Sequence, residues 1–138
     1  MLNSKNKNIR LKAFTLPELL IVLVIIGVLV LLALPRLAPL VSRAKSTEAQ
    51  LQLKHIYELE KNYYYLKSEY SDNIEDIDFE QEKLVTDGGT ANYLIEIVEA
   101  SETSFKARAT AVKDFDNDSK INIWEIDQDK NLVEIQKD

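Results

Sequence analysis

The chain has 138 residues and a net charge of −6, with 17 lysines and arginines against 23 aspartates and glutamates. It contains no cysteine, which excludes disulfides and thiol chemistry, and its single histidine cannot form a catalytic triad. Three glycines are too few for a glycine-rich phosphate loop or a dinucleotide fingerprint. Because strong acidity also argues against DNA or RNA as an electrostatic partner, this composition indicates a protein that is not an enzyme and does not bind nucleic acid.

A long apolar stretch lies near the N-terminus. Leu19 to Leu34 are sixteen residues without a polar side chain, and fourteen of them are Leu, Ile or Val. A helix of about 20 residues spans the hydrocarbon core of a bilayer, and these fourteen side chains favour insertion by about 4 to 8 kcal/mol. A carboxylate costs about 3 kcal/mol at mid-membrane and less near an end, where Glu18 lies. Insertion is therefore favoured, and we predict a transmembrane helix over residues 14–35.

The residues before this helix predict its orientation. Residues 1–13 carry four basic side chains and no acid, which keeps the N-terminus in the cytoplasm and sends the following chain across the membrane. A secretory signal peptide has the same charge pattern, but its apolar region has about 7–15 residues and ends at a small-x-small cleavage site. The apolar stretch here is longer, and residues 32–36 form a poor cleavage site. We therefore expect the helix to remain on the mature protein.

The sequence from Lys12 to Val22, Lys-Ala-Phe-Thr-Leu-Pro-Glu-Leu-Leu-Ile-Val, resembles the class III signal of type IV prepilins and type II secretion pseudopilins. The resemblance implies that a prepilin peptidase cuts between Ala13 and Phe14 and that the new terminal amine is methylated. Residues 1–13 would then be a leader peptide, and its removal would change the net charge from −6 to −10 because it takes away four basic residues. The family usually has glycine before the cut, where this chain has Ala13.

Glu18 is the charged side chain that the apolar helix carries at a cost, which makes it a candidate functional residue. The resemblance implies that its carboxylate pairs with the N-terminal amine of the neighbouring subunit during filament assembly. An unpaired charge is costly inside a low-dielectric bundle, so the subunits would favour the arrangement that neutralises both charges. The alternative is that Glu18 lies at the membrane boundary and is solvated by lipid headgroups.

The segment 36–71 is predicted to form the amphipathic half of one long helix, with a kink or local melting near Pro35 and Pro39. Its apolar side chains recur at helical spacing, which predicts a face packed on a sheet. The members of this stripe are Ile56, Leu59, Tyr63, Leu66 and Tyr70. The tyrosines of this region are interpreted as core or subunit contacts rather than as a functional stripe. His55 is interpreted as a surface residue.

The C-terminal region, residues 72–138, changes to a period of two after an acidic connection and a turn at residues 87–90. Strands are predicted over 93–98, 105–112, 121–126 and 132–135, and their short connections imply an antiparallel meander with one face on the helix. The predicted fold class is α+β and pilin-like: one long N-terminal helix, with a membrane half and an amphipathic half, packed on a small antiparallel sheet of three or four strands.

The loop 114–125 has acidic side chains at the spacing of a calcium-binding loop. Acids stand at its positions 1, 3 and 5 and a glutamate at position 12, although position 6 is Ser119 instead of glycine and strands flank the loop instead of helices. We expect Ca²⁺ to be bound here, while a solvated acidic hairpin tip is the alternative. The predicted ligands are Asp114, Asp116, Asp118, Asn122 and Glu125. Trp124 is predicted to pack beneath this loop.

The sequence as a whole predicts a structural subunit of a type IV pilus-like or type II secretion pseudopilus filament. The resemblance implies self-assembly and partnership with other pilin-like subunits, the prepilin peptidase, an inner-membrane assembly platform and membrane lipid. It also implies a location in the bacterial inner membrane, with the C-terminal domain in the periplasm, and in the filament after assembly. The small sheet, the acidic loop and the missing disulfide favour the pseudopilus. The alternatives are a monomeric, single-pass anchored calcium-binding module and a minor pilin of an adhesion or DNA-uptake machine.

Overall fold

The computed structural model of the chain describes residues 12–138, so most of the predicted leader lies outside the described residues. The chain divides into two compact units, which meet in sequence between Arg36 and Leu37. A single helix, α1, is assigned from Leu16 to Lys67 and contributes to both units. The backbone is helical at Pro35 and Pro39, so the local melting considered for this region is absent.

In the N-terminal unit, α1 presents its apolar side chains to the surroundings. Every large apolar side chain from Leu19 to Leu34 is exposed. The helix is long and apolar enough near the N-terminus to cross a membrane. Burial of this surface in lipid would be favourable for the same reason that burial in a protein core is, because it removes apolar area from water.

In the second unit, one face of α1 is buried, and its position differs in part from the predicted stripe. The buried residues recur every three or four positions: Ser42, Ser46, Ala49, Leu53, Ile56 and Glu60. Ile56 was predicted correctly, but Leu66 is 82% exposed. Leu66 follows Glu60 by six residues, which is roughly 240° around a helix of 3.6 residues per turn and places it away from the buried face.

The other correction to the stripe concerns Tyr70. This side chain is buried, as predicted, but it does not belong to the helix, because α1 ends at Lys67. Ser68 adopts a left-handed backbone conformation with φ of 61°, which turns the chain out of the helix. The Tyr70 ring then stacks on Tyr64 with the ring centroids 4.8 Å apart and lies 5.0 Å from Phe105. The interpretation of these tyrosines as core residues holds for Tyr70, whereas Tyr65 is exposed.

A four-stranded antiparallel sheet forms the rest of the second unit. The strands are β1 (Tyr93–Ala100), β2 (Phe105–Ala111), β3 (Ile123–Asp127) and β4 (Leu132–Gln136), and they lie in the order β1-β2-β3-β4. This is the predicted meander, and strict alternation of buried and half-buried residues along β2 gives it one core face. The predicted fold class is therefore confirmed, with four strands.

The core between α1 and the sheet is apolar and is reinforced by polar contacts at both ends. Its largest fully buried apolar side chains are Leu53, Ile56, Tyr93, Ile95, Phe105 and Ile126. Glu48 of α1 accepts hydrogen bonds of 2.7 Å from the backbone and the side-chain amide of Asn92, just before β1. Lys130, in the β3–β4 turn, reaches Glu58 of α1 at 3.1 Å. The part-buried contacts of Glu48 help to fix the register of the helix against the sheet, whereas the exposed Lys130–Glu58 pair adds little stability.

The connection before β1 uses glycine at the predicted turn. A short 3₁₀ helix, Val85–Asp87, ends at Gly88, whose φ of 82° lies in the left-handed region. At Gly89 an added Cβ would lie 1.9 Å from the carbonyl oxygen of Lys83, so this position excludes a side chain unless the backbone moves. The acidic connection itself is packed through Ile77 and Phe79, which are buried.

Candidate functional site

The predicted cleavage position lies in an exposed, non-helical segment before α1. Lys12, Ala13, Phe14 and Thr15 have no helical backbone, and the Phe14 side chain is 82% exposed. A peptidase needs an accessible peptide bond, and the bond between Ala13 and Phe14 lies in this exposed segment. Cleavage at this bond therefore stays a prediction.

Glu18 has a structural role at the start of α1. The backbone N–H of Thr15 donates a hydrogen bond of 2.7 Å to Oε2 of Glu18. Thr15 precedes the first helical residue and Glu18 occupies the third helical position, so the pair has the spacing of a capping box, in which the acid returns to the N-cap amide. A carboxylate in the first turn is also favoured by the helix dipole. In the isolated subunit, Glu18 therefore already satisfies one backbone donor.

The acidic loop between β2 and β3 is organised by its own aspartates. Asp114 accepts backbone hydrogen bonds from Asp116 and Asn117 at Oδ1, and one of 2.7 Å from Ser119 at Oδ2. Asn117 and Ser119 have φ values of 63° and 70°. Ser119 thus adopts the left-handed conformation at the position where a calcium loop usually has glycine. A residue with a side chain can adopt this conformation, but at a higher energy than glycine.

Three of the five predicted metal ligands converge in this loop, and a residue from the C-terminus joins them. One carboxylate oxygen from each of Asp114, Asp116, Asp118 and Asp138 can be chosen so that all lie within 4.8 Å of one another. Asp138 is only 7% exposed; it accepts a hydrogen bond of 3.0 Å from the backbone of Phe115 and one of 3.3 Å from the hydroxyl of Ser42. It therefore links the loop to α1.

The structure does not bring the other two predicted ligands into this cluster. Asn122 is buried, with Oδ1 accepting a hydrogen bond of 2.8 Å from the Tyr93 hydroxyl and Nδ2 donating to Glu134. Glu125 lies on β3, where its Oε1 accepts hydrogen bonds of 2.8 and 2.6 Å from the Arg108 guanidinium. Glu125 departs from the calcium-loop pattern because it lies on β3, where strand pairing places it opposite Arg108. Asn122 lies just before β3, and its side chain is held by Tyr93 and Glu134 instead.

Within the cluster, the pKa values of Asp114 and Asp138 are shifted in opposite directions. Partial burial acts to raise the pKa of Asp114, but the backbone donors of Ser119, Asn117 and Asp116 outweigh it and hold that pKa below its ordinary value. For Asp138 the balance is reversed: burial raises the pKa, and the negative charges of Asp116 and Asp114 add to the increase. A cation between them would remove this repulsion.

The chemistry of this oxygen-only set fits a hard divalent cation such as Ca²⁺, which takes six to eight oxygen ligands. A cavity of about 400 Å³ is lined by Asp138, Ser42 and Trp124, but not by the three aspartates of the loop. Trp124 is half-buried and packs against the core, in agreement with its predicted packing role.

Asp138 was not predicted as a ligand, because no spacing rule connects it to residue 114. It reaches the cluster only because β4, which precedes it, returns the chain to the acidic loop.

Comparison with known proteins bears on the N-terminal segment. Residues 10–34 match the prokaryotic N-terminal methylation motif. Over 76 residues the chain is 40% identical to the type IV major pilin protein PilA of Myxococcus xanthus (strain DK1622), an alignment that covers 55% of this chain. The same alignment covers 34% of the relative, so the chain matches about a third of that pilin's length.

These similarities agree with the geometry described above. The methylation motif includes the exposed segment at Ala13 and Phe14, the capping position of Glu18 and the apolar part of α1. The relative is a pilin, which is a structural subunit rather than an enzyme. The motif, the 40% identity to a major pilin and the long helix packed on a four-stranded antiparallel sheet make the chain similar to type IV pilins.

Proposed function

We propose that the chain is a structural subunit that polymerises through the N-terminal part of α1 into a type IV pilus-like filament. The observation that carries this proposal is the combination of the methylation motif with an exposed apolar helix that has one acid in its first turn. Such a helix cannot remain in water, because its exposed apolar surface is favourably buried only in lipid or against other helices. The subunit is therefore stored in the membrane and transferred into a helical bundle.

Similarity to a major pilin favours a pilus over a secretion pseudopilus. The small sheet, the acidic loop and the absence of cysteine favour the pseudopilus instead, so it is the alternative within the same class. Purification of surface filaments and identification of their subunits by mass spectrometry distinguishes the two. We expect this chain among the abundant subunits of a surface pilus; its restriction to a periplasmic filament would support the pseudopilus.

The partners and topology follow from the same proposal. A prepilin peptidase and an inner-membrane assembly platform would process and polymerise the chain, with copies of itself and other pilin-like subunits as filament neighbours. The basic residues before α1 favour a cytoplasmic N-terminus, which places the C-terminal domain in the periplasm before assembly.

Processing gives a direct prediction. Expression with a prepilin peptidase is expected to yield a chain that begins at Phe14 with a methylated amine, as measured by intact mass and N-terminal peptide mass. Ala13→Gly should be cut at least as well, whereas Ala13→Leu should accumulate as precursor, because the small side chain before the cut is what the family pattern requires. Recovery of the wild-type chain with residues 1–13 still attached would contradict the proposal.

We further propose that the acidic loop and the C-terminus bind one Ca²⁺ through Asp114, Asp116, Asp118 and Asp138. The supporting observation is the approach of four carboxylate oxygens to within 4.8 Å, one of them from a buried side chain. Uncompensated, these charges repel one another. A bound cation would fasten the β2–β3 loop to the C-terminus and so perform the work of a disulfide in a chain that has no cysteine.

Calorimetry and thermal melting in Ca²⁺ test this site. At a free concentration of 100 times Kd, the ion is expected to stabilise the wild type by about 2.7 kcal/mol. The paired change Asp116→Ala and Asp118→Ala, and separately Asp138→Asn, should abolish the shift in Tm. Glu125→Gln should retain it, because Glu125 pairs with Arg108 outside the cluster. Absence of both binding heat and a Tm shift in the wild type would refute the metal site.

The contrasting function is a monomeric anchored module that uses the same calcium site without polymerising. The two functions differ in oligomeric state within lipid. Cross-linking of the processed chain in membranes should give a ladder of oligomers for a filament subunit and a single species for an anchored monomer.

A further inference from the structure

Glu60 is an acid in the core of the second unit. It lies on the buried face of α1, after Leu53 and Ile56, and its exposed fraction is 0%. Its Oε2 accepts one hydrogen bond, 3.0 Å from the backbone N–H of Ser71, while its buried Oε1 has no hydrogen-bond partner among the described residues. A buried carboxylate without full hydrogen bonding is costly when it is ionised.

The groups around Glu60 do not compensate a negative charge. On α1, the ammonium of Lys61 donates to the Tyr70 hydroxyl at 2.9 Å instead of reaching Glu60. The charged side chains of the segment 68–79, which covers this region, are all acids. Three of them, Glu69, Asp72 and Asp76, line a surface cleft together with Glu102 of the β1–β2 turn, beside Tyr63 and Ser71. Among the described residues, no basic side chain forms an ion pair with Glu60.

We propose that Glu60 is a proton-dependent latch that holds the segment 68–79 against α1 when it is neutral and loosens that segment when it is ionised. The contact is specific, because Ser71 is itself buried and also orders the segment by accepting a 3.0 Å hydrogen bond from the backbone of Asn73. Ionisation would place a charge in the core, and the least costly relief is entry of water at Oε1, which has no hydrogen-bond partner among the described residues. The acidic cleft beside it would then change shape.

The direction of the pH effect follows from burial. Desolvation raises the pKa of Glu60 to about 7 from its ordinary value of 4.5, although the Ser71 hydrogen bond acts in the opposite direction. Between these two values the folded chain keeps a proton that the unfolded chain releases. The contribution of Glu60 to stability is therefore largest below pH 4.5, falls as the pH rises toward 7, and becomes constant above it. Over this window the unfolding equilibrium constant should rise by up to roughly 300-fold through Glu60 alone.

The test compares the full chain in detergent micelles with its Glu60→Gln variant. Glutamine retains an acceptor for the Ser71 amide and cannot ionise. The ratio of the two unfolding constants should change with pH between 4.5 and 7, and the protection factor of the Ser71 amide in hydrogen exchange should fall above pH 7 in the wild type alone. Glu58→Gln, an exposed position on the same helix, should behave as the wild type.

Direct titration of Glu60 in the wild type tests the latch even if the Glu60→Gln variant does not fold. The ¹³C carboxyl resonance of Glu60 in the wild type should titrate near pH 7. Titration near pH 4.5, or parallel pH profiles of the wild type and Glu60→Gln, would overturn the latch. Because none of these measurements depends on cleavage or polymerisation, their outcome is independent of the proposed filament role.

Discussion

Replacing Glu18 with alanine is expected to abolish filament assembly while the chain still inserts into the membrane. The change removes a carboxylate from an apolar helix, which makes insertion easier by up to about 3 kcal/mol. It also removes the hydrogen bond to the Thr15 amide, but loss of a helix cap costs only about 1 kcal/mol and cannot release a long apolar helix from lipid. What the variant lacks is the charge that would neutralise the terminal amine of a neighbouring subunit.

Glu18→Gln separates the capping role from the charge. Its amide oxygen can still accept the hydrogen bond from Thr15, so the start of α1 is preserved, yet the negative charge is gone. If charge pairing drives assembly, both variants fail to form filaments, as counted by electron microscopy, while both remain in the membrane fraction. Normal filaments in Glu18→Gln but not in Glu18→Ala would assign Glu18 to helix capping. Normal filaments in both would end the assembly role.

Leu53→Ala is expected to cause a large loss of stability of the second unit. Leu53 is 0% exposed in the core between the helix and the sheet. Truncation of a buried leucine to alanine costs about 2–5 kcal/mol, because apolar contacts are lost and a cavity remains. For a domain of ordinary stability, about 5–15 kcal/mol, this is a large fraction of the total.

Leu66→Ala is the matched control, with the same substitution on the same helix. Leu66 is 82% exposed, so its truncation should change the unfolding free energy by no more than about 0.5 kcal/mol. Chemical denaturation of both variants in the same detergent measures the difference. Comparable losses of unfolding free energy from the two variants would mean that Leu66 is packed, as the predicted stripe required. The helix would then present a different face to the sheet.

The elements of this fold could be recognised from local patterns. Sixteen successive apolar residues specify a membrane helix whatever follows them, because insertion depends on side-chain composition along the segment. Alternation along Phe105–Ala111 specifies a strand with one buried face, and the short connections leave little choice but a meander. The segment that matches the methylation motif is likewise contiguous, so the predicted cleavage position and Glu18 could be proposed from residues that are neighbours in the chain.

What the local pattern could not fix was where the helix stops facing the sheet. The spacing of Leu66 and Tyr70 continued the apolar stripe, but the chain leaves the helix at Ser68, and Tyr70 reaches the core from outside it. Glu60 lay at the right spacing after Leu53 and Ile56 to be buried. Its charge concealed this, because acids at such positions ordinarily face water.

The acidic loop shows most clearly which contacts the sequence determined and which depended on the tertiary structure. The sequence by itself determined that Asp114, Asp116 and Asp118 would converge, because alternate residues of a tight turn share one side. Only the tertiary structure decided the fourth carboxylate, since pairing of β4 with β3 returns the chain to the loop and places Asp138 there, while strand geometry directs Glu125 to Arg108. Contacts within a turn depend on local backbone geometry, whereas contacts between distant residues depend on how the whole sheet is paired.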